Sequence, residues 1–308
     1  MKLKEAFLFI SIAFCACLFS CQKEAGFGDD DFPLGNSDSN YLDKVLDVEI
    51  QGSTIDTVAI AQYDYDASKR VTTITYSNES STGPGYDISE IAKYYYTGVD
   101  TIPYKLLFVH YNSTAINDTT ITYFTFSGTQ RIADSSLDYI HNTSGTIYDK
   151  LAKTITTYEY VPGKIYVKSA YTMVEDNSPL PQLGLIASNS DTAILDASGN
   201  LTSYRSWDDA SPFLLRYSNF TYDNHPNPFA SLSNFKAIPL LPHGETFIEE
   251  MQAKNNRLLA REEDAMGTIY ENDLTGKYTY KTNGYPIEIN DDESPGLIYR
   301  TVFIYKNL

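Results

Sequence analysis

One pattern recurs down this chain and constrains the fold more than any other feature. Aromatic and polar residues alternate, a few turn-forming residues follow, and a β-branched run comes after them. The stretch YDYDASKRVTTITY, residues 63–76, is an example. In a strand, Tyr63 and Tyr65 lie on one face and Asp64 and Asp66 on the other, because side chains alternate with period two. Ala67, Ser68 and Lys69 suit a tight connection, and Val71 to Tyr76 form the returning strand. Further turns fall at Gly98 and Asp100, Ser127-Gly128, Pro162-Gly163, Ser198-Gly199-Asn200 and Asn283-Gly284. The last is the strongest short hairpin signal of the set. Starts near residues 63, 93, 122, 157, 192, 219 and 277 give a spacing of about 30–35 residues, with one longer gap before the last, and this is the period of stacked supersecondary units. YTYKTNGYPIEI, residues 278–289, repeats the first stretch 215 residues later.

The expected fold is therefore all-β: an antiparallel meander of repeated hairpins curving into an open or half barrel. One short helical insertion is expected over Thr246 to Ala253, where Phe247, Ile248 and Met251 share a side. Tyr and Thr dominate the strands because both suit a half-buried pleated surface. The 26 tyrosines stand against a single tryptophan.

The first twenty residues read as a secretory signal: Lys2 and Lys4, an apolar run from Ala6 to Phe19, and the closing Leu18-Phe19-Ser20-Cys21. That ending resembles a bacterial lipobox, which implies lipidation of Cys21 after cleavage. Several acyl chains bury enough CH₂ groups for stable anchoring. Cys15 and Cys17 leave with the signal, so the mature chain has no thiol for a disulfide, a redox pair or a zinc ribbon. Residues 21–40 are rich in Gly, Ser, Asn and Asp and read as a flexible acidic tether. Residues 41–308 form the one repeat-built β domain. Without residues 1–20 the chain keeps 21 basic and 39 acidic residues. That excess disfavours nucleic acid and other polyanions.

The Tyr-x-Tyr-Asp/Lys hairpins resemble the Tyr-Asp repeats of RHS-type proteins. With the lipobox, TYDNHPNPF at 221–229, AKNNRL at 253–258 and YTYKTNGYPIEI, the chain is similar to Bacteroidota envelope lipoproteins of unknown function. The resemblance implies a porin-like, strongly curved sheet and an outer-membrane location. Gln22-Lys23-Glu24 resembles the export signal of surface-displayed lipoproteins, which implies exposure on the cell surface. It brings no catalytic residue with it.

Catalytic and metal motifs are sparse. His110, His141, His225 and His243 show no metal-ligand spacing. Asp64 to Ser68 opens like a calcium loop but has Lys69 where Gly is needed and Thr75 where Glu is needed. No phosphate loop, dinucleotide fingerprint or nucleophile elbow occurs. No cofactor or metal is expected. Trp207, in Ser206-Trp207-Asp208-Asp209, is the candidate ligand contact, because an exposed ring can stack on a sugar. The expectation is a non-enzymatic binding or structural module with a glycan or envelope-protein partner. A carrier of an apolar ligand in the concave face, or an envelope glycoside hydrolase, are the alternatives.

Overall fold

The computed structural model describes residues 40–80, 84–112, 115–128, 130–141, 148–176, 184–209, 214–232, 253–294 and 297–308. Cys21, Gln22, Lys23, Glu24 and His243 lie outside the described residues, as does the expected helix 246–253 except for Ala253. The strands are β1 (Tyr41–Gln51), β2 (Thr54–Tyr65), β3 (Val71–Glu79), β4 (Tyr86–Tyr95), β5 (Lys105–Asn112) and β6 (Ala115–Ser127). Next come β7 (Gln130–His141), β8 (Tyr148–Val161), β9 (Lys164–Asp176), β10 (Gly184–Leu195), β11 (Leu201–Asp208) and β12 (Leu214–Pro226). The last are β13 (Asn255–Asp264), β14 (Ile269–Asp273), β15 (Tyr278–Tyr280), β16 (Pro286–Ser294) and β17 (Leu297–Lys306). The helical element among the described residues is a 3₁₀ turn, Pro228–Ser231, capped by Asn227.

All strands belong to one antiparallel, curved sheet that does not close. From β1 to β14 each strand pairs with the next in sequence. The meander resumes with β15, β16 and β17. β17 then pairs with β1, from Tyr41 opposite Lys306 to Gln51 opposite Leu297. Every other strand pair near Tyr41 is joined by a turn; this one pairs the first and last described strands, which are far apart in sequence. The two similar stretches 215 residues apart are therefore near neighbours, with only β17 and β1 between β16 and β2.

The opening falls between β14 and β15, where no ladder joins them among the described residues. These two strands run in the same direction. β14 lies along β13, β15 lies along β16, and Leu274–Lys277 carries the chain across, with Lys277 N–H donating to Leu274 O at 3.0 Å. Gly276 takes a φ of +75° in this crossing. An L-residue with a Cβ is strained there.

The repeat has a clear atomic basis. Asp66 Oδ1 accepts from the N–H groups of Ser68 (2.9 Å) and Arg70 (3.0 Å). Asp196 does the same with Ser198 and Asn200 (2.8 Å each), and Asp264 with Met266 (2.9 Å) and Thr268 (2.8 Å). These Asx turns satisfy amides that the ladders leave over. The fourth position lies at positive φ: Lys69 at 62°, Gly199 at 90°, Gly267 at 80°. The tyrosines were expected as packing residues, and five of them also act as clasps. Tyr65, Tyr96, Tyr222, Tyr278 and Tyr305 donate their hydroxyls to the carbonyls of Leu42, Val71, Leu201, Arg257 and Pro286, at 2.6–2.8 Å. The acceptors lie at or near strand starts; Tyr65, Tyr96 and Tyr305 lie at or beside strand ends, Tyr222 in the last turn-end part of β12 and Tyr278 at the start of the short β15. The bond thus locks one end of the sheet, here the turn end, repeat by repeat. Tyr278 reaches across the opening to β13, where no ladder is available.

The concave side is identified by Phe229. It packs edge-on against Phe303 at 6.2 Å, although β13 to β16 stand between their strands. The main core gathers on this side at the turn end: Leu42, Tyr63, Ile74, Tyr94, Phe124, Phe229, Ile289, Phe303 and Tyr305 are all buried there. Each large side chain so buried stabilises by about 1.5–3 kcal/mol. A smaller cluster of Ala193, Leu201, Tyr204, Phe220 and Ala260 extends it under β10 to β13.

Candidate functional site

Because directly paired residues share a face, the registers trace the inner wall from strand to strand. On β8 the alternation is clear: Thr156 and Tyr158 are buried, Ile155, Thr157 and Glu159 are exposed. From Thr156 the inner row runs through Asp134 on β7 and Ser169 on β9. Beyond the aromatic core this row is polar. Thr120 Oγ1 donates to Asp138 Oδ1 (2.7 Å), Thr122 and Ser136 share a hydrogen bond (2.8 Å), and so do Thr156 and Ser169 (3.1 Å). Small hydroxyl residues let neighbouring strands satisfy one another's hydrogen bonds across the wall.

Charged groups punctuate the wall in pairs. His110 Nδ1 lies 3.2 Å from Glu90 Oε1. Arg131 and Asp134 form a buried ion pair, and Tyr158 Oη donates to Asp134 Oδ2 at 2.6 Å. The Arg131 guanidinium also lies over the Phe124 ring, 4.5 Å from its centroid. Burial pushes the Tyr158 phenol well above its ordinary range, so it stays a donor.

The densest part of the wall lies on β10 to β13. Tyr204 Oη donates to Asp191 Oδ2 at 2.8 Å. Burial raises the Asp191 carboxyl, and hydrogen bonds from Ser206, Tyr204 and the Trp207 backbone pull the other way. Arg216 pairs with Glu262. Between these two pairs stands Ser218, opposite Tyr204 on one side and Glu262 on the other. Ser218 is 0 % exposed and its Oγ has no hydrogen-bond partner. Tyr63, on the inner face of β2, is likewise 0 % exposed with an unpartnered hydroxyl. A buried hydroxyl left unmade costs on the order of 1–3 kcal/mol, so such groups mark places where a polar partner fits.

The residues singled out in the sequence are scattered. Trp207 is 38 % exposed and lies opposite Ser190 and Leu214 on the convex face, away from the wall cluster although its neighbour Ser206 is part of it. His225 stacks on Tyr280 at 4.0 Å, and Tyr280 on Tyr278 at 5.8 Å. No group of three His, Cys, Asp or Glu among the described residues could hold a metal ion.

TYDNHPNPF, AKNNRL and YTYKTNGYPIEI meet at the turn end. Asp223 accepts from Asn256 N (3.0 Å), Asn256 Nδ2 (3.0 Å) and Tyr280 Oη (2.6 Å). Asn255 Nδ2 donates to His225 O at 3.1 Å, and buried Asn200 accepts from the backbone of Lys254 and Asn255. This network anchors both ends of the long connection between β12 and β13, which gives these stretches a structural role. The wall cluster escaped sequence reasoning because its members are isolated Ser, Tyr and Asp on four strands. The alternation that places each of them inward was the one available signal.

No protein-family model matches the chain, and no curated protein matches it. Among solved structures, a porin-like protein from Bacteroides vulgatus is similar over 88 % of this chain and 100 % of its own, at 13 % identity and a TM-score of 0.50. A porin-like protein from Bacteroides uniformis covers 86 % of this chain and 97 % of its own, at 13 % identity and a TM-score of 0.45. The first likeness supports the curved all-β sheet.

Proposed function

We propose that the protein is a non-enzymatic binding module of the cell envelope that takes a polar ligand against the inner wall of β6 to β13. The observation that carries this reading is the buried, unpartnered Ser218 hydroxyl on the inner face between the Tyr204–Asp191 and Arg216–Glu262 pairs. An apolar cargo would need an apolar concave surface. Here most aliphatic and aromatic side chains of the concave face are packed into the turn-end core, and the remainder is mainly hydroxyls, carboxylates and their paired bases, with only small apolar groups such as Ala152 and Val167. Lipid on Cys21 holds the module at the outer membrane, and Gln22-Lys23-Glu24 directs it to the surface; the lipobox-like LFSC and the porin-like Bacteroides neighbour support this placement. A glycan or envelope-protein contact through convex Trp207 is a separate surface and does not enter the inner-wall reading.

The test is retention. The mature chain is dialysed against a small-molecule extract of its host's envelope, and retained compounds are identified by mass spectrometry. Thr154→Trp, which fills the space before the inner wall, abolishes retention, and Thr157→Trp on the convex side of the same strand preserves it. Equal retention by both variants, or none by the native chain, refutes the reading. Anchoring is checked by incorporation of labelled palmitate, lost in Cys21→Ala, and display by protease digestion of intact cells.

A further inference from the structure

Most lysines and arginines of the sheet lie on one side of it, among acids such as Asp64 and Glu159. Lys93, Lys153, Lys168, Arg205, Arg261 and Arg300 all take convex positions: they lie opposite Leu107, Leu137, Ser190, Thr192, Asn219 and Val48, respectively, on the side away from the core. The inner wall beyond the aromatic core carries an excess of acids. Its His110, Arg131 and Arg216 are each matched by an acid of their own, Glu90, Asp134 and Glu262. Asp47, Asp118, Asp138, Asp191 and Asp208 are added on the same face, while buried Arg257 sits opposite Tyr222 nearer the turn end. A concave surface lined by one sign of charge concentrates the field in front of it.

Resting on the inner-wall binding reading, we propose that the ligand is a small linear organic cation carrying several ammonium groups, of the polyamine class. The acids do not converge: no three of them are close enough to share one metal ion among the described residues. They are distributed instead over β1, β6, β7, β10 and β11, and neighbouring strands are about 4.8 Å apart. Carboxylates spaced along a wall suit a chain of spaced charges, each taking one or two acceptors. Ser218 supplies the second element. Its hydroxyl is buried, inward-facing and without a partner beside Tyr204 and Glu262, and it offers lone pairs to an ammonium N–H. Burial of Asp191 is consistent, because an arriving cation offsets the cost of keeping that carboxylate ionised.

The experiment is calorimetric titration of the mature chain with spermidine at low and at moderate salt. Maltotriose and citrate serve as neutral and anionic comparators. Two double variants remove the same charge: Asp118→Asn with Asp191→Asn on the inner wall, and Asp64→Asn with Glu159→Gln on the convex face. Circular dichroism checks that both fold. The expected result is spermidine binding that weakens with salt, falls about tenfold in the inner variant, and changes less than about twofold in the outer one. Equal losses in the two variants mean diffuse attraction to an acidic protein and overturn the proposal. Absence of spermidine binding, with envelope compounds still retained by the native chain and lost in Thr154→Trp, overturns the cation class alone. Absence of both overturns the binding reading with it.

Discussion

Two arcs of the same sheet are built on opposite terms. From β15 through β17 and β1 to β5, the inner face carries Ile289, Phe303, Tyr63, Ile74 and Leu106, packed into one core with Phe229 across the turn end. From β6 to β13, beyond the aromatic core, the inner face carries Thr122, Thr156, Ser169, Asp191 and Ser218. Both arcs hold comparable ladders and the same turn chemistry. The difference shows that backbone pairing needs only alternation, whereas what faces inward can be apolar filling or a polar surface. The first arc holds the molecule together, and the second can spend its inward face on a ligand.

The comparison breaks most sharply at a core aromatic. Phe303→Ala removes the partner of Phe229 from a packed site and is expected to cost about 3–5 kcal/mol. Thr156→Ala deletes one half of a Thr–Ser hydrogen bond in the polar arc and should cost only about 1–2 kcal/mol. Denaturant titration of the two variants checks the ratio; equal losses would mean that the polar arc is as tightly packed as the other.

A smaller contrast lies within the tyrosines. Tyr222→Phe keeps the ring but strips the Leu201 carbonyl of its donor, and about 1 kcal/mol of stability is expected to go with it. Tyr63→Phe removes a buried hydroxyl that bonds to nothing, so its midpoint should match or exceed that of the native chain. Destabilisation of both to the same extent would show that the clasp bonds contribute no more than ring packing.

The smallest effect is in the pH response, and its sign differs between wall and turn. The Asp191 carboxyl is raised by burial above its ordinary 3.8. Its contribution is therefore greatest below about 3.8 and is lost as pH rises through the folded value. Asp196 is nudged up by burial, but hydrogen bonds from the side chain and backbone of Asn200 and from the backbone of Ser198 and Gly199 prevail and lower it. Its contribution is present above 3.8 and is lost as pH falls through the folded value. Asp191→Asn should gain stability relative to the native chain on going from about pH 4 to 7, and Asp196→Asn should lose stability relative to it on going from about pH 2 to 4. Denaturation midpoints from about pH 2 to 7 decide, and curves for both variants parallel to the native one throughout that range would contradict the assignment.

Most of the strand content and nearly all the turns were legible in the chain. Alternation of Tyr and Thr with polar residues marks a strand, and Asp or Asn followed by Gly marks a turn, because both act within a few residues. Asp196-Ala197-Ser198-Gly199-Asn200 closes its hairpin with its own side chain and its own φ, and no distant residue is needed. The inner and outer faces of each strand follow from the same period of two. Three things depended on the assembled sheet. The pairing of β17 with β1 joins residues at opposite chain ends, and the opening at Leu274–Lys277 depends on two strands taking different partners. Neither leaves a local pattern. The polar wall is the third: Asp191, Tyr204, Ser218 and Glu262 look like ordinary alternating polar residues until four strands lie side by side. Hydrogen bonding between neighbours in sequence builds the hairpins, but curvature decides which side of every hairpin faces the others, and a site made of one side chain per strand exists only after that choice.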